Sequence, residues 1–324
     1  MSKKTSRREF VRTAGIAAGG MLAAPVPSPA APPQNSSTSM SKAARLRQLL
    51  RRPEPFYCIS AFDSPSARLV ELMGFEAIYS GGSLMAMEHG FPDWGLTNTT
   101  DLLEFASRLQ RNVDIPVIGD CDNGGGNPVN TYHATKEYER IGLAGILLED
   151  RIRVTKIGQK GDVVSTEEMV ERIKAAAEAR SEMIIVGRTD ALGVGKSLDE
   201  AIARGQAYAA AGADAILFPG IQKLEVSQRA IKEIPKPMFI QMGPNSAKED
   251  ALKIGTHVLF YTSMMQDIAL AAYLQALTEL KNTGKLPNTF NAHKLADEIT
   301  VKLERSDEIL ERARKYKWAP PATK

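Results

Sequence analysis

The sequence predicts a closed, parallel (β/α)8 barrel, the TIM barrel fold, from three observations. Short apolar runs alternate with amphipathic helical patterns from about residue 42 onward. Eight such runs can be counted, which is the number of strands that closes this barrel. A glycine of the kind that ends a helix precedes every second run. An open, doubly wound parallel sheet is the alternative that periodicity alone leaves open.

The predicted strands are short and apolar, as expected of strands that are buried on both faces. They span residues 57–61, 77–80, 116–120, 145–149, 183–188, 215–218, 237–241 and 257–261. Amphipathic patterns between them predict helices over 64–73, 100–111, 130–141, 166–180 and 197–211. The helix-ending glycines are Gly74, Gly142, Gly212 and Gly255, each before an even-numbered strand.

Composition fits one large domain and argues against several classes of protein. The chain has 324 residues, of which 43% are apolar and 24% charged, so it can bury one core of barrel size. Its net charge of +3 and the lack of a long basic run with interleaved aromatics argue against a nucleic-acid partner. Cys58 and Cys121 form no CxxC pair, so neither a disulfide scaffold nor a thiol-redox motif is indicated.

The N-terminus has the layout of a twin-arginine signal peptide over residues 1–30. Adjacent arginines in "SRREFVR" precede a mildly apolar run at 13–24 and then "PVPSPAAPP", which offers small residues for cleavage. A disordered basic tail is the alternative interpretation. The apolar run is too short for stable membrane insertion. We therefore expect a periplasmic or otherwise exported protein.

Four regions follow from these patterns. The signal peptide is followed by a flexible linker at 31–41, rich in Pro, Ser and Asn. The catalytic barrel is predicted over 42–287. A helical extension is predicted over 288–324.

The third predicted strand ends in "GDCDNGGGN", residues 119–127. Alternate residues of an extended strand project to the same side, so Asp120 and Asp122 can aim at one point while Cys121 faces away. Together with Glu149, which ends the fourth strand, these hard oxygen donors suit Mg²⁺ or Mn²⁺. The spacing fits neither an EF-hand, a phosphate-binding loop nor a dinucleotide fingerprint. A glycine-rich turn with solvated aspartates is the structural alternative.

Other strand ends are polar as well. Strand 2 runs into "SGGS" at 80–83, and strand 5 ends in "GRTD", which contains Arg188. In TIM barrels the carboxyl ends of the strands carry the chemistry. Carboxylates that converge with an arginine indicate a divalent cation and an anionic substrate.

The motifs "FDSPSARLVELMGFEAIYSGGS", "FPDWGLT", "PVIGDCDNGGGN", "GILLED", "VGRTDA" and "LDEAIARGQAYAAAGADAILFPG" resemble the isocitrate lyase and phosphoenolpyruvate mutase superfamily in order and spacing. The resemblance covers about 53–287. It implies a (β/α)8 barrel whose C-terminal helices are exchanged between the subunits of a homodimer or homotetramer. It also implies a Mg²⁺ that binds a small 2-oxo or 2-hydroxy carboxylic acid and stabilises the enolate formed when a C–C or P–C bond breaks.

The resemblance also implies roles for individual residues. Asp120 and Asp122 match the metal-binding aspartates. Asp93 matches the aspartate of the "PD" turn, Glu149 the glutamate of the "ED" motif, and Arg188 the arginine that grips a substrate carboxylate.

The remaining substrate-binding positions implied by the resemblance are Ser80, Gly81 and Gly82. In the family this segment holds the carboxyl end of the substrate with backbone groups and a hydroxyl. An arginine fork such as that of Arg188 would fix the carboxylate in plane.

Departures from the family pattern bear on the substrate. Where 2-methylisocitrate and dimethylmalate lyases carry a proton-transferring Cys, this chain has Ile157, and Gln159 stands at the neighbouring His position. Phosphoenolpyruvate mutases carry an Asn after a Lys at this place, where this chain has Ile157 and Thr155, and they rely on a His where this chain has Pro219. The sequence thus favours a C–C lyase or decarboxylase acting on a small di- or tricarboxylic acid. P–C chemistry of the mutase or phosphonopyruvate hydrolase type, and a non-catalytic metal–carboxylate binding barrel, are the alternatives.

Overall fold

The computed structural model describes residues 40–152, 161–219, 224–243, 246–285 and 299–318. Eight parallel strands pair in chain order, and the eighth pairs with the first, so the sheet closes into a barrel. The predicted TIM barrel is confirmed, and the open sheet is excluded. The predicted signal peptide, most of the linker, and Ile157 lie outside the described residues.

The strands fall within one residue of their predicted bounds. They are β1 Phe56–Ser60, β2 Ala77–Ser80, β3 Val117–Asp120, β4 Gly145–Glu149, β5 Ile184–Arg188, β6 Ala215–Leu217, β7 Met238–Gln241 and β8 Val258–Tyr261.

The helices of the described part alternate with the strands and continue beyond them. They are α1 Lys42–Arg51, α2 Ser64–Leu72, α3 Gly82–Glu88, α4 Thr99–Gln110, α5 Pro128–Arg140, α6 Thr166–Ala179, α7 Leu198–Ala211, α8 Leu224–Glu233, α9 Lys248–Lys253, α10 Met264–Thr283 and α11 Ser306–Lys315.

Side-chain caps fix several of these helix starts. Asp63 and Ser66 form a capping box at the start of α2, and Asn98 and Asp101 form another at the start of α4. Asn127, the last residue of "GDCDNGGGN", caps α5. The glycine-rich segment after β3 is therefore a short link between a buried strand and a capped helix.

The four junction glycines all adopt a left-handed backbone. The φ angles are +81° at Gly74, +84° at Gly142, +117° at Gly212 and +77° at Gly255. A side chain is disfavoured at such angles, which explains why glycine recurs before β2, β4, β6 and β8.

The amino-terminal end of the barrel is closed by α1. Its residues Leu46 and Leu50 are buried in the same apolar cluster as the inward-facing Phe56 and Cys58. The Lys42 Nζ atom donates hydrogen bonds to main-chain carbonyls at the end of α4 and beyond it, at 2.8 and 2.6 Å. This end of the barrel is thus sealed by apolar packing and paired polar groups.

The C-terminal helices leave apolar side chains exposed. On α10 these include Ile268, Tyr273, Leu274 and Leu277, and α11 exposes Ile309. No helix in the described ranges is long and apolar enough to cross a membrane.

Candidate active site

The strand register gathers polar side chains at the carboxyl end of the barrel. Ile118, Leu147 and Val186 belong to the inner apolar cluster. Because side chains alternate along a strand, the residues two positions later also face inward. Those residues are Asp120, Glu149 and Arg188, and Glu149 is the register partner of Arg188.

Asp120 is held by three donors. Its Oδ2 atom accepts hydrogen bonds from the Tyr79 hydroxyl at 2.6 Å and from the Gly82 amide at 2.9 Å. Its Oδ1 atom accepts from the Asp122 amide at 3.0 Å. The Asp120 carbonyl oxygen accepts from the hydroxyl of Tyr138 on α5 at 2.7 Å. The carboxylate therefore has a fixed orientation before any ligand binds.

Asp122 departs from the geometry that the sequence argument assumed. The strand ends at Asp120, and Asp122 has a φ of +46°, so strand alternation does not align the two carboxylates. The physical reason is local, since the Asp120 carboxylate accepts a hydrogen bond from the Asp122 amide, and this bond stabilises a turn directly after the strand. The Asp122 carbonyl then accepts a hydrogen bond from the Glu149 amide at 2.8 Å, which ties the turn to β4.

Glu149 lies in a buried and mainly negative setting. Burial is the main cause that raises the pKa of Glu149 to about 8. Arg188 opposes this rise, and the carboxylates of Asp190 and Asp120 add to it. The Arg188 Nη1 atom is 3.2 Å from a Glu149 carboxylate oxygen. A positive charge at this position would favour the ionised form of Glu149.

Arg188 is clamped in place. Its Nε and Nη2 atoms both donate to the carboxylate of Asp190, each at 2.8 Å. Burial disfavours the charged guanidinium, but Glu149 and Asp190 more than offset this and raise the pKa of Arg188. The site thus presents a permanently charged guanidinium with a defined orientation.

The glycines of the "SGG" segment are required by close packing. A Cβ atom on Gly82 would lie 3.0 Å from Asp120 Oδ2, and one on Gly81 would lie 2.9 Å from the Tyr79 ring. Ser80 is the register partner of Gly119 on β3. A Cβ atom added to Gly119 would meet the side chains of Leu143 and Tyr138, which lie outside the barrel. Ser80 therefore also faces the outside of the sheet. Its hydroxyl is buried with no hydrogen-bond partner in the described part of the chain.

Asp93 lies apart from the buried group. It is exposed in the segment between α3 and α4, beside the exposed Trp94 and Leu96. No strand positions this segment. The structure thus brings Asp120, Glu149 and Arg188 together, while Asp93 stands at the surface.

Sequence reasoning overlooked three residues at the barrel mouth. Tyr79 binds Asp120, and Asp190 clamps Arg188. Ser60 pairs in register with Tyr79, and its buried hydroxyl has no partner among the described residues. Strand alternation could have found all three, because each stands at an inward position at or just after a strand end.

The carboxylates at the barrel mouth bear on the implied cation. Among the residues that the structure describes, no group of three or more Asp, Glu, His or Cys side chains is placed to hold a metal ion. Mg²⁺ usually takes one or two protein carboxylates and keeps several waters, so a complete protein set is not needed. The carboxylate of Asp120 and the like-charged Glu149 fit a hard cation that offsets their repulsion. Asp122 follows in the same turn.

An eight-stranded barrel with buried carboxylates and a clamped arginine at its carboxyl ends has the features of an enzyme active site. The family model described as phosphoenolpyruvate phosphomutase matches residues 46–281. The chain belongs to this family, and so to the isocitrate lyase and phosphoenolpyruvate mutase superfamily that its motifs resemble.

Two curated relatives and one solved structure illustrate the likeness. The chain is 32% identical to 2-methylisocitrate lyase of Shewanella oneidensis, over 78% of this chain and 90% of the relative. It is 31% identical to oxaloacetate decarboxylase of Pseudomonas entomophila, again over 78% and 90%. It superposes on a phosphonopyruvate hydrolase complex with oxalate and Mg²⁺ with a TM-score of 0.78 and 27% identity, covering 86% of this chain and 99% of the other. The prediction of an enzyme of the carbon–carbon lyase class is confirmed by the named relatives.

Proposed function

We propose that the protein is a Mg²⁺-dependent carbon–carbon lyase or decarboxylase, with Mn²⁺ as the alternative cation. Its substrate is a small 2-oxo or 2-hydroxy di- or tricarboxylic acid. The observation that carries this proposal is the buried Arg188, clamped by Asp190 beside the carboxylates of Glu149 and Asp120. Such a site offers one fixed cation for an organic carboxylate and a separate group of oxygen donors for a metal ion.

Arg188 binds a carboxylate of the substrate. The Nε and Nη2 atoms of Arg188 donate to Asp190. The Nη1 atom lies beside Glu149 and carries two N–H groups, which gives it a donor for a ligand as well. The buried hydroxyl of Ser60, which has no partner among the described residues, supplies a second donor on the inner face. Together they orient a small acid across the barrel mouth.

Asp120 and Asp122 would hold the cation together with water, and the Glu149 carboxylate would stand beside it. When bound, the cation supplies the positive charge that stabilises the enolate left by bond cleavage. Tyr79 and the Gly82 amide keep the Asp120 carboxylate in one orientation, so little reorganisation is needed. Because Asp120 and Glu149 are buried, bulk water has little access to this part of the site beyond the waters that a bound cation would keep.

Loss of CO₂ from a 2-oxo dicarboxylic acid suits these residues when the departing carboxylate is β to the oxo group. The electron pair of the broken C–C bond then forms the enolate, which needs only a proton to give the product. Chemistry at phosphorus is less well supported, because Pro219, which stands where the mutases use a His, has no side-chain donor for a phosphoryl group.

The oligomer is part of the proposal. We infer a homodimer or homotetramer in which the C-terminal helices pack on a neighbouring subunit. The exposed apolar side chains of α10, such as Tyr273, Leu274 and Leu277, support this inference. Light scattering of the purified protein tests it, and a monomer at micromolar concentration would contradict it.

Export through the twin-arginine signal is also proposed, on the sequence of residues 1–30. Replacing Arg7 and Arg8 by Lys should retain the protein inside the cell, which fractionation followed by immunoblotting measures. An unchanged distribution would contradict the proposal.

Proton NMR tests the reaction. The mature protein is incubated with Mg²⁺ and, separately, with oxaloacetate, 2-methylisocitrate, 2,3-dimethylmalate and phosphonopyruvate. We expect pyruvate from one of the first three acids, faster than with Mg²⁺ alone, and loss of this product with Asp120→Ala. Turnover of phosphonopyruvate only would show P–C chemistry. No turnover with any acid, combined with Mg²⁺-dependent thermal stabilisation by oxalate, would indicate a binding protein.

A further inference from the structure

A further buried carboxylate adjoins Asp190, the residue that clamps the arginine. Asp150 follows β4, and it is fully buried. Its Oδ1 atom accepts a hydrogen bond from the Asp190 amide at 2.9 Å. Its Oδ2 atom accepts from the Tyr208 hydroxyl at 2.7 Å and lies 3.3 Å from Nη1 of Arg204. Both Arg204 and Tyr208 project from α7, in the outer layer of the barrel.

All of these partners are donors, so the geometry suits an ionised Asp150. A buried ion pair is a weak source of stability, because removing both charges from water costs about as much as their attraction returns. An apolar pair of similar volume would serve packing at least as well. The charges of Asp150 and Arg204 are better explained by the orientation that they impose on their neighbours.

Asp190 connects Asp150 to Arg188. Asp190 donates its amide to Asp150, and its own carboxylate accepts both hydrogen bonds from Arg188. The Asp150 amide also donates to the Arg188 carbonyl at 3.2 Å. A continuous series of hydrogen bonds thus runs from α7 to the guanidinium at the barrel mouth.

We propose that Tyr208 and Arg204 are positioning residues, which act through Asp150 and Asp190 to fix the direction in which Arg188 presents its donors. The relevance of this role to catalysis rests on the proposed function, in which Arg188 binds the substrate carboxylate. The orientation of Arg188 itself can be measured without any substrate.

The chain offers a matched control on the opposite side of the site. Tyr138 on α5 is also fully buried, and its hydroxyl also donates to the end of a strand, at the carbonyl of Asp120. Tyr138→Phe and Tyr208→Phe each delete one buried hydroxyl without changing the ring. Tyr138→Phe removes a hydrogen bond to the Asp120 carbonyl, whereas Tyr208→Phe removes one to the Asp150 carboxylate.

The direct test is hydrogen exchange at the Arg188 Nε–H group. Protein labelled with ¹⁵N-arginine gives a signal for this group, which Arg188→Lys identifies by its disappearance. We expect Tyr208→Phe to speed this exchange roughly tenfold, because it deletes a hydrogen bond that holds the charged Asp150 in place, and hydrogen bonds to charged groups are among the stronger ones. Tyr138→Phe should change the rate less than about twofold, because its hydroxyl does not contact this series of hydrogen bonds.

Arg204 provides a second pair of variants in case Tyr208→Phe does not fold. Arg204→Lys keeps a positive charge near Asp150, so its Arg188 exchange rate should stay closer to the wild-type rate. Arg204→Met removes the charge and should speed exchange. Equal rates in wild type, Arg204→Met and any folded Tyr208→Phe would overturn the proposal.

Binding measurements link the proposal to the reaction. With Mg²⁺ present, Tyr208→Phe should weaken oxalate binding about tenfold and leave the affinity for Mg²⁺ alone unchanged, whereas Tyr138→Phe should weaken Mg²⁺ binding. A general loss of structure would lower both affinities in both variants, and that result would contradict the proposal. If wild type binds neither oxalate nor Mg²⁺, the proposed function fails, and the exchange experiment still decides the positioning role.

Discussion

The two ends of the barrel are built on different principles. At the amino-terminal end, Leu46 and Leu50 of α1 fill the barrel, and Lys42 satisfies two main-chain carbonyls. At the carboxyl end, Glu149 is buried among other carboxylates, and Asp122 has a left-handed backbone. One end therefore contributes stability, and the other gives up stability for a fixed arrangement of charges. Substitutions at the two ends should therefore separate stability from activity.

Replacing Arg188 by Met should have the largest effect. This change keeps most of the volume but removes the guanidinium that contacts Glu149 and Asp190. Breaking a buried charge pair that also binds a ligand costs roughly 2–5 kcal/mol, so kcat/KM should fall about a thousandfold. Steady-state kinetics on the acid identified by NMR measures this loss. A decrease of less than tenfold would show that Arg188 is not the carboxylate-binding residue.

Replacing Leu46 by Ala should have its effect on stability. Deleting a fully buried leucine costs roughly 2–5 kcal/mol, so the denaturant midpoint should fall clearly. The value of kcat should stay within about twofold of wild type at temperatures where the variant is folded, because α1 packs at the end of the barrel remote from the site. A large decrease in kcat for the folded variant would show that the two ends are not independent.

The pKa of Glu149 predicts how the stability of the metal-free protein depends on pH. This carboxyl has an ordinary pKa of 4.5 and a pKa of about 8 in the folded protein. Below pH 4.5 both states hold the proton, and between 4.5 and 8 the folded state holds more protons, so stability falls as the pH rises through this window. Above about pH 8 the contribution levels off.

Thermal unfolding in EDTA from pH 5 to 9 measures this trend. The decrease in unfolding temperature between pH 5 and 8 should be smaller for Glu149→Gln, because glutamine cannot ionise. Added Mg²⁺ should also reduce the decline in wild type, because the cation favours the ionised carboxylate. Parallel curves for wild type and Glu149→Gln would contradict the assignment of the pH dependence to Glu149.

The barrel was predictable from sequence because its signals are local and repeated. The junction glycines such as Gly142 mark strand starts through a backbone angle that other residues disfavour. The candidate site was only partly predictable. Asp120 and Arg188 end strands and are visible as polar residues after apolar runs, but the turn at Asp122 depends on a hydrogen bond that no spacing reveals. The contact of Tyr208 with Asp150 joins residues 58 positions apart, so the sequence pattern alone did not show it.

The two cysteines allow the local stability of the two barrel ends to be compared, and this comparison has the smallest expected effect. Cys121 lies between Asp120 and Asp122 at the carboxyl end, while Cys58 lies in the cluster with Leu46. Burial raises the pKa of the Cys121 thiol to about 12, and it also raises the pKa of Cys58, so neither should react at pH 8 in the native protein. If the carboxyl end opens first, low denaturant should expose Cys121 before Cys58.

Pulsed alkylation with peptide mass spectrometry measures the two labelling rates separately. We expect Cys121 to label severalfold faster than Cys58 below the unfolding midpoint, and equally fast above it. Leu46→Ala weakens the packing around Cys58, so it should bring the ratio of the Cys121 labelling rate to the Cys58 labelling rate closer to one. Equal rates at every denaturant concentration would mean that both ends open only by global unfolding, and faster labelling of Cys58 would reverse the assignment of the stable end.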